Sequence, residues 1–82
     1  MATIAHEGQL WETYLEFEDD PRKIGFRGRF RFDGAGSDGA TRSTTTTVII
    51  IEDSYEEALA KARHMDQRAL VALLRSTLPG DG

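Results

Sequence analysis

The sequence predicts an α+β domain: a three-stranded antiparallel β-meander followed by one long or broken C-terminal helix packed on one sheet face. Three observations carry that expectation. Segments 9–18 and 23–33 alternate apolar and polar residues with period two, β-branched residues crowd 43–52, and apolar residues recur at helical spacing through 54–77.

In the first segment Trp11, Thr13, Leu15 and Phe17 share one face, and Glu12, Tyr14, Glu16 and Glu18 share the other. The second repeats the pattern, with Ile24, Phe26, Gly28, Phe30 and Phe32 opposite Lys23, Gly25, Arg27, Arg29 and Arg31. Between them Asp19-Asp20-Pro21-Arg22 suits a type I turn, because proline presets φ and aspartate bonds back to the backbone. A turn of those four residues makes paired positions sum to 41, so Phe17 meets Ile24, Leu15 meets Phe26, Trp11 meets Phe30, Glu12 meets Arg29 and Tyr14 meets Arg27. Acids then lie opposite or diagonal to bases, which accounts for an all-acidic stretch at 1–20 followed by an all-basic one at 22–31.

In the third strand Val48 to Ile51 place apolar side chains on both faces, more than one helix can cover. Ser54-Tyr55-Glu56-Glu57 then fits a capping box, and Leu78-Pro79-Gly80 stops the helical pattern. An unbroken helix over 55–77 would run roughly 35 Å. A globule of this size is nearer 26 to 30 Å across, so the helix either overhangs or breaks near His64-Met65-Asp66 with Asp66 as a second cap. The segment ALVALL is apolar nearly all round, a second excess of apolar surface.

The chain has 82 residues, a net charge of −4 and no cysteine. One domain over 1–82 follows, with an ordered part at about 9–78, a thin core and no thiolate chemistry. No apolar run reaches the ~20 residues of a membrane span, and the first residues lack a signal-peptide pattern, so a cytoplasmic protein is expected. Arginine outnumbers lysine and asparagine is absent, which suggests a GC-rich bacterial genome.

Gly34-x-Gly36-x-x-Gly39 spells a phosphate-cradling motif, but a β-branched strand follows it where a helix N-terminus is required. Residues 34–42 are therefore expected to form a flexible hairpin connection. Calcium is not expected there, since an EF-hand loop beginning at Asp33 would put Thr44 where the closing glutamate belongs. His6 and His64 have no neighbour at metal-ligand spacing, and Glu12 and Glu16 stand ~13 Å apart, beyond usual glycosidase pairing. No serine has a base and an oxyanion hole at hand. The chain is thus read as a non-enzyme without cofactor or metal.

Two surfaces remain. Tyr14, Arg27, Arg29 and Arg31 share the outer sheet face, and the expected architecture resembles, at the level of fold, small DNA-binding domains that lay a three-stranded sheet into a groove. Interleaved glutamates and the acidic net charge weigh against phosphate there. The two-sided third strand and ALVALL suggest a homodimer buried through Ile49, Ile51, Leu70, Val71 and Leu74, unless residues 1–8, with Ile4, cover the excess. The expected function is a small non-catalytic interaction or regulatory module working through protein contacts, with nucleic-acid binding by the arginine face as the alternative.

Overall fold

Strand β2 (Gln9–Phe17) is the best-signalled element, and the sheet grows outward from it on both sides. The computed structural model describes residues 2–19, 22, 24–35 and 39–78. It is α+β, with an antiparallel sheet and two C-terminal helices. Ahead of β2 lies β1 (Ala2–His6); after it come β3 (Phe26–Ala35), β4 (Thr41–Thr45) and β5 (Ile50–Glu52), then helices α1 (Tyr55–Arg63) and α2 (Gln67–Thr77). Neighbours run β1-β2-β3-β4, with β5 also paired to β3.

The sheet is thus larger than the expected meander. β1 pairs with β2 through a two-residue turn that joins His6 to Gln9, with φ of 52° at Glu7 and 77° at Gly8. Positive φ at both central residues is the turn that matches the twist of a hairpin, and glycine meets its requirement without strain. Ile4, opposite Trp11, is fully buried, so the N-terminal segment does cover part of the apolar excess.

The hairpin of β2 and β3 has the expected faces and a different register. Pairs sum to 45: Trp11 meets Gly34, Leu15 meets Phe30, Tyr14 meets Arg31, Glu16 meets Arg29 and Phe17 meets Gly28. A shift of four residues is even, so no side chain changes face. The ladder between β2 and β3 closes at Glu18 and Arg27, where the Glu18 amide donates to the Arg27 carbonyl at 2.7 Å. Ile24 accordingly leaves the strand and stands 92% exposed. The expected turn residues Asp20 and Pro21, and Lys23, lie outside the described residues.

What selects this register is the fit of glycine to aromatic ring. A Cβ on Gly34 would lie 2.6 Å from the Trp11 ring, and one on Gly28 would touch Leu15, Ile50 and Phe17. Each strand glycine leaves a gap in the pleat that a large cross-strand neighbour fills.

The expected third strand is broken in two. Thr45 pairs with Arg31 and Ile50 with Gly28, so the two residues Arg29 and Phe30 face the four residues 46–49. Thr46 bridges this bulge: its amide donates to the Phe30 carbonyl at 2.9 Å and its hydroxyl accepts from the Phe30 amide at 3.0 Å. Ile49 is half-buried against the core and Ile50 fully buried, which accounts for most of the two-sided apolar run.

The helical pattern breaks where the length argument allowed. Asp66 accepts from the Ala69 amide at 2.8 Å and caps α2, as Ser54 accepts from Glu57 at 3.1 Å and caps α1. Buried Ala58 and Ala62, one turn apart, let α1 approach the sheet closely. Leu70 and Leu74 put α2 over Ile4, Trp11, Phe30 and Phe32 in one core.

Candidate functional site

The outer sheet face is where the sequence places its charged candidates, and the register brings them together. Period-two alternation points Glu12, Tyr14, Glu16 and Glu18 of the β2 segment and Arg27, Arg29, Arg31 and Asp33 of β3 away from the helices. Arg31 donates to Glu16 at 2.7 Å, stands 3.3 Å from Asp33, and lays its guanidinium over the Tyr14 ring, 4.5 Å from the centroid. Glu16 also faces Arg29 at 3.6 Å, and Arg27 donates to Glu18 at 3.4 Å. Glu12 meets Asp33 in the ladder, not Arg29, and accepts from the Thr3 hydroxyl at 2.7 Å on β1.

All three arginines therefore have a carboxylate neighbour, and Arg31 adds a cation–π contact. A phosphate arriving at this face would have to displace those partners. Ion pairs near the surface contribute roughly 0 to 1 kcal/mol each, and these are half-buried; with Glu12, Glu16, Glu18 and Asp33 beside the three arginines the face carries no excess of positive charge.

The five residues expected at an oligomer interface do not share a surface. Leu70 is 2% and Leu74 0% exposed, both inside the chain's own core, while Ile49 and Val71 are partly buried against it. Only Ile51, 53% exposed, faces solvent freely. The first helix ends at Arg63, Asp66 caps α2, which lies back against the sheet, and ALVALL buries Leu70 and Leu74 at home.

The glycine loop is likewise shorter than expected. Gly34 and Ala35 belong to β3, Thr41 and Arg42 to β4, and Gly36, Ser37 and Asp38 lie outside the described residues. Gly34, the first glycine of the phosphate-like motif, is occupied by the Trp11 ring. His6 lies 3.9 Å from Glu7, and the His64 ring contacts the Ala60 carbonyl at 2.7 Å at the end of α1. Among the described residues no group of three or more histidine, aspartate or glutamate side chains could hold a metal.

A surface that sequence reasoning missed lies where β3 begins. Phe26 packs edge-to-face on Phe17 at 5.9 Å between ring centroids, and Tyr55 lies 5.4 Å from Phe17 and 6.3 Å from Phe26. Ile24 and Gly25 lead into this trio, with Gly25 at φ 88° against the Glu52 carbonyl; Ile51, paired with Arg27, lies on the opposite, outer face. Phe26 is 40%, Tyr55 49% and Ile51 53% exposed. The exposure of Ile24 follows from the register, under which it has no partner in β2.

Comparison with protein-family models, curated proteins and solved structures finds no match for this chain. No helix among the described residues is long and apolar enough to cross a membrane.

Proposed function

We propose that this chain is a small non-catalytic protein-interaction module that acts as a homodimer. The observation that carries the interaction reading is the aromatic end of the sheet, where the exposed Phe26 and Tyr55 complete a packed ring trio with Phe17, and the exposed Ile24 precedes Phe26 by two residues. Contiguous exposed apolar surface with aromatic content is the usual mark of a protein contact. The rings are held by one another and by Phe17, so little side-chain freedom remains to be lost on binding.

Capture from a cell extract, run in parallel with the wild type and with an Ile24→Ser/Tyr55→Ser variant, tests this reading. Both positions lie outside the buried core, so the variant should fold. A protein retained by the wild type and lost by the variant is the expected result. An identical retained set from both would sink the proposal.

The rival reading, nucleic-acid binding through Tyr14, Arg27, Arg29 and Arg31, has the shared sheet face in its favour and the interleaved carboxylates against it. Fluorescence anisotropy of labelled single- and double-stranded oligonucleotides at two salt concentrations is expected to show no salt-sensitive binding. Tight binding that a triple alanine variant at the three arginines abolishes, with a reduced salt slope, would instead make that face the site.

A further inference from the structure

We infer that the homodimer in this reading is built by antiparallel pairing of β1 with β1 of a second copy, centred on Ile4. The inference rests on the proposal of a homodimeric module and replaces the interface expected from sequence, through the helix or the third strand, with the edge of β1.

Backbone polarity in β1 follows from its turn. In a two-residue hairpin the flanking residues, His6 and Gln9, exchange both hydrogen bonds, and bonded and non-bonded pairs then alternate. His6, Ile4 and Ala2 therefore bond to β2, whereas the amides and carbonyls of Thr3 and Ala5 point out of the sheet. The Glu18 amide, bonded to the Arg27 carbonyl of β3, confirms the same alternation across β2, whose even-numbered residues face away from β1. β1 has no further strand beside it among the described residues.

That outward edge lacks the devices that usually prevent strand addition: Ala2–His6 contains no proline, lysine, arginine or acid, and no bulge interrupts its ladder with β2. The opposite edge differs, being interrupted at 46–49 and carrying Arg42 in β4. The β1 edge is also self-complementary. A two-fold register in which positions sum to eight pairs Thr3 with Ala5 of the second copy, and Ala5 with its Thr3. All outward amides and carbonyls of these residues are then satisfied, and the two Ile4 residues form the central non-bonded backbone pair. Registers centred on Thr3 or Ala5 pair fewer of these outward groups within β1. Across the join the outer face carries only threonine and alanine, with Leu10 beside Ala5 and 65% exposed, so no like charges meet.

An interface built on five residues per copy is small, so the association should be weak, with Kd on the order of 0.1 mM. Sedimentation equilibrium of the full chain over a wide concentration range should show a monomer–dimer equilibrium. Ala5→Pro removes an outward donor and leaves the β2 ladder intact, since proline is tolerated where the edge amide faces solvent. Thr3→Lys places a guard charge on the same edge. Each variant should weaken the dimer about tenfold or more while keeping its circular dichroism spectrum, and Thr45→Lys on the other edge should leave the dimer unchanged. If Ala5→Pro fails to fold, Thr3→Lys decides. A dimer indifferent to the β1 variants would overturn this interface and leave the homodimer standing. A monomer at every concentration would overturn both, leaving the aromatic end to be judged by capture.

Discussion

Leu74→Asp is expected to abolish folding rather than to separate two folded protomers. Leu74 is 0% exposed and belongs to the same buried cluster as Trp11, Phe30, Phe32 and Leu70. A carboxylate there would lack both water and a partner, at a cost of several kcal/mol on top of the lost leucine packing. A domain of this size has on the order of 5 kcal/mol of stability in all. The milder Leu74→Ala should remain folded and lose about 2 to 5 kcal/mol, read as a lowered urea midpoint with the same slope. A folded Leu74→Asp with an unchanged midpoint would return that residue to the surface and reopen α2 as an interface.

The second large effect is expected from one methyl group. Gly34→Ala would set a Cβ 2.6 to 2.8 Å from three atoms of the Trp11 ring, which is itself only 2% exposed and opposite the buried Ile4. An indole in such a site has no free direction to move, so strand and ring must separate. Alanine is ordinarily the better strand residue, yet here the change should destabilise by roughly 2 to 3 kcal/mol. Trp11→Leu combined with Gly34→Ala should cost less than the sum of the single changes, because the smaller side chain vacates the contested space. Gly39→Ala offers the contrast: with φ at 83° and nothing within 4 Å of a new Cβ, it should cost only the backbone penalty, on the order of 1 kcal/mol. Equal losses at the two glycines would show that the tryptophan seat has no special weight.

Face assignment in β2 and β3 was legible because it depends only on parity, and parity survives any even slip. Register was not, because the apolar faces match at sums of both 41 and 45, and charge matching favours 41, since at 45 Glu12 faces Asp33. The distinguishing feature was steric: at 41, Gly28 would face Thr13 and Gly34 would face Glu7, whereas at 45 the two glycines receive Phe17 and Trp11. The β1 hairpin escaped notice because Ala2, Thr3 and Ala5 give little hydrophobic contrast and its turn is Glu-Gly, a weaker sign than Asn-Gly. The run from Val48 to Ile51 announced excess burial correctly, but nothing local marks where a bulge will relieve it. At the candidate surfaces the same division holds. Shared charge on the outer face follows from alternation, while the exposure of Ile24, Phe26 and Tyr55 depends on where a connection ends.

The four residues at 46–49 that face only Arg29 and Phe30 also bear on how large an assembly this chain can form. A protein with two flat edges can add copies without limit, and cross-β fibres grow in that way. Here one border of the sheet is straight and the other is kinked, so a contact through the straight border uses it up on both partners at once. In the proposed dimer, growth would end at two. Deleting Thr47 and Val48 would straighten the second border, and the chain it leaves would be suited to a filament.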